Sequence, residues 1–206
     1  MRAYKIIKII LILIRIIILA VLVYKDFNPS GYLKVGYDFC REEPFISKFS
    51  PLGRVLAVER INGACSQKMV IDPVYFDVRL PQRFNEVRLT IWYKKLSETK
   101  LQIGPAIDLS AWQWQLKDIN YIRNEGNWQI GQTSYDLFLT QIDHNRLRFL
   151  VSSPNLADSG QEVIFKKIEL EFVKKPIQNW ADVIERLRDL ILFSRLKFII
   201  HLISNI

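Results

Sequence analysis

Residues 73–95 read PVYFDVRLPQRFNEVRLTIWYKK, and this stretch decides the fold. Val74, Phe76, Val78 and Leu80 alternate with Tyr75, Asp77 and Arg79. After LPQRFN turns the chain, Val87, Leu89, Ile91 and Tyr93 alternate with Glu86, Arg88, Thr90 and Trp92. A side-chain period of two with one polar phase is the pattern of antiparallel strands that bury one face and wet the other. Trp92 falls in the polar phase, which predicts a place on the outer face or beneath another element.

The same alternation recurs on both sides. Leu33, Val35, Tyr37 and Phe39 share a face, with Lys34 and Asp38 opposite. Shorter runs lie near residues 54–60 and 68–71, and strands resume at 135–142, 146–152 and 162–173. In the last run Val163 and Phe165 hold one phase and Ile168, Leu170 and Phe172 the other, so the slip at Lys166-Lys167 predicts a β-bulge. The middle, 101–131, is less regular and rich in Trp and Gln. Eight or nine short strands in about 150 residues, with no repeat and no strong helix pattern, predict a mainly β fold. The expected form is one antiparallel jelly-roll β-sandwich over residues 32–175, with an immunoglobulin-like sandwich as the alternative.

The flanks read differently. Residues 6–24, IIKIILILIRIIILAVLVY, hold fifteen Ile, Leu or Val among nineteen positions. As a helix they would be roughly 28 Å long, close to the ~30 Å hydrocarbon core of a bilayer. Fifteen such residues contribute roughly −5 to −9 kcal/mol to insertion, against about +3 for the central Arg15, so spanning is favoured. Arg15 is either a tolerated charge or a contact for a partner within the membrane. The run ends VLVYKDF without the small-residue pattern of a cleavage site, so residues 1–25 are expected to be a retained signal anchor. Arg2, Lys5 and Lys8 cluster at its N-terminal end, which puts the N-terminus in the cytoplasm and the domain outside the cell membrane. Residues 26–31, DFNPSG, form a linker.

Pro176 stops the last strand, and Asn179 suits a helix N-cap. Trp180, Val183, Ile184, Leu187 and Ile191 recur at helical spacing, and Leu190–Ile206 is apolar almost all round apart from Ser194, Arg195, Lys197 and His201. Residues 176–206 are therefore expected to form an amphipathic helical tail that lies on the membrane or a partner protein. Packing on the sandwich and a second span are the alternatives.

Net charge is +8, but residues 1–25 supply +5 of it, residues 26–175 only +2, and residues 176–206 +1. The excess is mostly topology signal, and a nucleic-acid partner is excluded. Cys40 and Cys65 are compatible with a disulfide across about 25 residues or with two free buried thiols. The two histidines, His144 and His201, lie far apart and no Cys/His spacing suits zinc, so neither metal nor cofactor is expected.

The segment PVYFDVRLPQRFNEVRLTIWYKK, with LRFLVSSPNL at 147–156 and EVIFKKIELEFVKK at 162–175, resembles the jelly-roll β-sandwiches of carbohydrate-binding modules and galactose-binding-like domains. It is similar also to uncharacterised membrane-anchored bacterial proteins built around such a domain. The resemblance covers residues 32–175 and rests on strand phrasing. It implies an extracytoplasmic, non-enzymatic sandwich that binds glycan or cell-envelope polymer. None of the ligand motifs of these families is matched, so no ligand residue carries over.

Candidate ligand residues come from the chain itself. Trp112 and Trp114, in AWQWQ, would share a face if that segment is a strand. Gln113 and Gln115 flank them, with Tyr121 and Trp128 nearby, so an aromatic platform with amide hydrogen-bonding groups is one reading and aromatic core the other. Glu169 and Glu171 share a strand face, as a glycosidase pair would, but they sit with Lys167 and read as a solvated surface. His144 occupies a turn and no nucleophile elbow or phosphate loop is present, so no enzyme is expected. The alternative function is structural: a sandwich and terminal helix that hold proteins together in an envelope complex.

Overall fold

A computed structural model describes residues 10–19, 31–61, 63–95, 100–138, 141–143, 145–154, 156, 162–175, 182 and 184. The chain divides into two units, residues 1–31 with 175–206, and residues 32–174. In the first, residues 10–19 are helical and every Ile and Leu among them is exposed, by 46–63%. Among the described residues no helix is long and apolar enough to cross a membrane. The expected tail falls almost wholly outside the described residues; Asp182 and Ile184 are helical.

The second unit is mainly β. Thirteen strands are described: β1 Gly31–Tyr37, β2 Glu59–Ile61, β3 Ala64–Met69, β4 Val74–Arg79, β5 Glu86–Lys95, β6 Gln102–Asp108, β7 Gln113–Trp114, β8 Lys117–Asp118, β9 Asn120–Glu125, β10 Trp128–Asp136, β11 Ile142–Asp143, β12 Arg146–Ser152 and β13 Val163–Lys174. One sheet runs β2-β3-β13-β5-β10-β9, with β1 also on β13. The other runs β11-β12-β6-β7, with β4 also on β12 and β8 on β6.

The alternating strands of 73–95 do not form a hairpin. β4 pairs with β12 in one sheet and β5 with β13 and β10 in the other, so residues 80–85 carry the chain between layers. Each strand has one apolar face, and that face sets which side is buried without choosing the neighbour. The apolar phases meet between the sheets. Phe76 and Phe149 stack across β4 and β12 at 5.2 Å, and Phe49 meets Phe165 edge-on at 5.3 Å. Leu89, Ile91, Phe149, Phe165, Ile168, Leu170 and Phe172 are fully buried. Truncating any such Phe to Ala would cost about 3–5 kcal/mol.

One buried hydrogen bond ties the layers together, and one irregularity sets the register within a sheet. Tyr135 of β10 donates its hydroxyl to the Ile103 carbonyl of β6, and burial pushes that phenol up to about 12. The bulge is present: the β13–β5 register shifts between Phe165 and Lys167, so Phe165 opposes Tyr93 while Lys167 opposes Trp92.

Of the two states open to Cys40 and Cys65, the disulfide forms. Their Cα atoms are 5.2 Å apart, joining the segment after β1 to β3. Closing a loop of 25 residues removes unfolded-state entropy worth roughly 3 kcal/mol in the chain-entropy model. Cys40→Ala with Cys65→Ala should therefore lower sandwich stability by about 3 kcal/mol in denaturant titration. An unchanged midpoint would show that the bridge adds no constraint.

Candidate functional site

The candidate residues divide over two edges and one outer face. Trp112 precedes β7, in a turn spanning 109–112, with φ 54°, and the residue is 71% exposed. The left-handed region costs a residue with Cβ roughly 1–2 kcal/mol, so something must hold the turn. Asp108 does. Its carboxylate accepts from the Ser110 hydroxyl at 2.6 Å, the Ser110 amide at 2.8 Å and the Ala111 amide at 3.3 Å. These bonds, the Ser110 hydroxyl first, hold the Asp108 carboxyl below the usual aspartate range.

The premise that Trp112 and Trp114 share one strand face is corrected by this turn, because only Gln113 and Trp114 are in the strand. Gln113 is exposed, and Trp114 and Gln115 are half-buried. The chain bulges here over β6: a Cβ on Gly104 would lie 2.0 Å from the Gln115 carbonyl oxygen. Glycine is what allows that approach. The Gln115 side-chain Oε1 is buried without a hydrogen-bond partner.

From β8 the chain passes at Ile119 directly into β9, taking it from the edge of one sheet to the edge of the other. Ile119 fills the space above Gly131, where a Cβ would meet it at 2.0 Å. Trp112 thus lies beside the edge of one sheet, and Tyr121, which is 57% exposed, in the edge strand of the other. β9 is exposed throughout; Tyr121 opposes Gly131 and Asn124 opposes Gln129 in one phase of β10, while Asn120 opposes Gln132 in the other. Ile107, Leu109, Trp112, Tyr121 and Ile122 are exposed large apolar groups along this stretch.

Trp128 is elsewhere. At the start of β10 it is 7% exposed, with the ammonium of Lys94 4.4 Å and that of Lys166 5.9 Å from its ring centre. Trp92 lies on the same outer face, as its polar phase predicts, donating its indole N–H to Glu125 at 3.2 Å with Lys167 5.0 Å from the ring. The Glu125 carboxyl is held below its ordinary range chiefly by that indole. The sequence does not single out Glu125 or Lys94 and marks Lys166 only for the bulge, since nothing local relates the three.

Glu169 and Glu171 lie on the outer face with Lys34 3.2 Å from each and Lys167 2.6 Å from Glu169. Burial raises the Glu169 pKa, but hydrogen bonds from Lys167 and Lys34 outweigh it and hold the carboxyl below the usual range. A glycosidase acid needs the opposite shift. Among the described residues no group of three His, Cys, Asp or Glu could hold a metal. His144 and His201 lie outside the described residues.

No protein-family model matches the chain, and no curated protein does. Solved structures do. The CBM22-1 xylan-binding domain of Paenibacillus barcinonensis Xyn10C is 13% identical, covering 68% of this chain and 94% of that one, with a TM-score of 0.45. The xylan-binding module CBM15 is 11% identical over 70% of this chain and 99% of its own, with a TM-score of 0.44. A family 35 carbohydrate-binding module from Clostridium thermocellum is 8% identical over 68% and 96%, with a TM-score of 0.38. These three are carbohydrate-binding modules or domains.

The turn that carries Trp112 should be sensitive to acid. Because the Asp108 pKa is lowered in the folded state, the turn's stabilisation is present above the ordinary aspartate value and lost as pH falls through the lower folded one. Acrylamide quenching of tryptophan should change below that range, and Asp108→Ala should show the acid behaviour at neutral pH. A flat quenching profile in both proteins would show that Asp108 does not hold the turn.

Proposed function

We propose that the chain is a membrane-anchored, non-enzymatic binding protein. Its sandwich is displayed outside the cytoplasm and takes glycan or another cell-envelope polymer along the edge that bears Trp112 and Tyr121. The observation that carries this reading is Trp112 itself. A turn braced by three hydrogen bonds that the Asp108 carboxylate accepts holds Trp112 in a disfavoured backbone conformation and leaves the residue 71% exposed. Burying that ring would stabilise the fold; leaving it in water makes it available to a ligand. Indole and phenol rings stack on the apolar faces of sugar rings, while Gln113 and Asn124 supply amides for hydroxyl groups.

Three features support display outside the membrane. The helix over 10–19 leaves all its Ile and Leu exposed, and a helix apolar on every side but for Arg15 favours a core or a bilayer. Basic residues precede it, in keeping with a cytoplasmic N-terminus. The Cys40–Cys65 bridge belongs to an oxidising compartment. The non-enzymatic reading is supported by Glu169 and Glu171, whose carboxylates are taken up by lysines. An envelope-assembly role through Leu190–Ile206 would depend on residues outside those described.

Affinity electrophoresis of the full-length protein in detergent micelles through neutral soluble polysaccharides tests the site. Retardation is expected from at least one polymer. Trp112→Ala and Tyr121→Ala should each weaken it by about tenfold, equivalent to 1.4 kcal/mol. No retardation by any polymer, or retardation untouched by Trp112→Ala, would overturn this assignment.

A further inference from the structure

The bulge in β13 has a chemical consequence. Because the alternation breaks between Phe165 and Lys167, two successive lysines, Lys166 and Lys167, both stand outward between the inward Phe165 and Ile168. An unbroken strand would send one of them into the core, where an unpaired ammonium costs on the order of several kcal/mol. On the adjacent strand Lys94 opposes Ile164 in the same outward phase. Its ammonium lies 4.4 Å and that of Lys166 5.9 Å from the Trp128 ring centre, and that of Lys167 5.0 Å from the Trp92 centre.

Three ammonium groups are therefore gathered over two indoles, and the carboxylates present fall short of them. Glu125 is 3.5 Å from Lys166, and Glu169 is 2.6 Å from Lys167 but also 3.2 Å from Lys34. Among the described residues Lys94 meets no carboxylate. All three lysines remain partly open to solvent. The indoles form a floor that supports the lysine stems and keeps the charges at the surface.

We propose that this outer face is a second binding site, for the anionic groups of a polymer, carboxylate or phosphate, with Lys94, Lys166 and Lys167 as the contacts. It stands on side chains separate from the Trp112 edge and does not depend on that assignment. A bilayer surface fits less well: Trp128, Ile130 and Ile164 are buried here, so these groups are not available for insertion into lipid.

The test is titration of the full-length protein in neutral detergent micelles with polygalacturonate and, separately, polyphosphate, at low and high salt. Tryptophan fluorescence and co-sedimentation report binding. At least one polyanion should bind, more weakly at high salt, and the one that does names the anion. Lys94→Gln with Lys166→Gln and Lys167→Gln should weaken binding at least about tenfold and flatten its salt dependence. The corresponding triple arginine variant, which keeps the charges, should retain salt-sensitive polyanion binding that the glutamine variant loses. Trp112→Ala should retain polyanion binding even where it loses a neutral polysaccharide, which separates the two sites. Failure to bind either polyanion, undiminished affinity in the glutamine variant, or a response only to nanodiscs containing phosphatidylglycerol would overturn the proposal.

Discussion

The sandwich depends on keeping one face of a single strand dry along its whole length. β13 is twelve residues long and pairs with β5 on one side and with β3 and β1 on the other. Its inward residues Val163, Phe165, Ile168, Leu170 and Phe172 are all buried at 1% exposure or less. A strand of strict alternation would carry that apolar set to solvent halfway along, because a slip of one residue exchanges the two faces. The bulge after Phe165 absorbs the slip, so both halves face the core. Burying a Phe, Leu or Ile contributes about 1.5–3 kcal/mol, and losing half the set would outweigh the few ladder bonds the bulge forfeits.

The same device shapes the outer face. Once the inward phase is preserved on both sides of the slip, the extra residue has to stand outward, and here it is a lysine beside another lysine. The register change that protects the core thus concentrates charge on the opposite surface. Lys34, Glu169, Glu171 and Lys167 form a row at one end, and Lys166, Glu125, Trp92 and Trp128 continue it across β5, β9 and β10. Packing and surface chemistry share one cause.

What was legible in the sequence follows from which of these effects are local. Alternation in 73–95 and the phase break at Lys166-Lys167 are written along single strands, so the buried faces, the bulge and the outward Trp92 could be read directly. Strand partners could not: β4 and β5 are consecutive and equally amphipathic, yet they lie in different sheets. β6 was hidden because QIGPAID lacks a wet phase; Gly104 is required by the overlying Gln115 carbonyl, and Pro105 through Ala106 are buried on both faces. The six aromatic and amide candidates were near one another in sequence only. A turn separates Trp112 from the strand holding Trp114, and Trp128 belongs to the other sheet's outer surface.

The two exposed features differ in what opposes them, and that difference bears on function. On the outer face, the indoles are already covered by lysine stems, and Trp128 is nearly sealed. An uncharged sugar ring would have to displace those ammonium groups before it could stack. At the 107–124 edge nothing covers Trp112, and the nearest braced carboxylate, Asp108, is committed to its own turn. Stacking on neutral rings therefore suits the edge, and charge recognition suits the face.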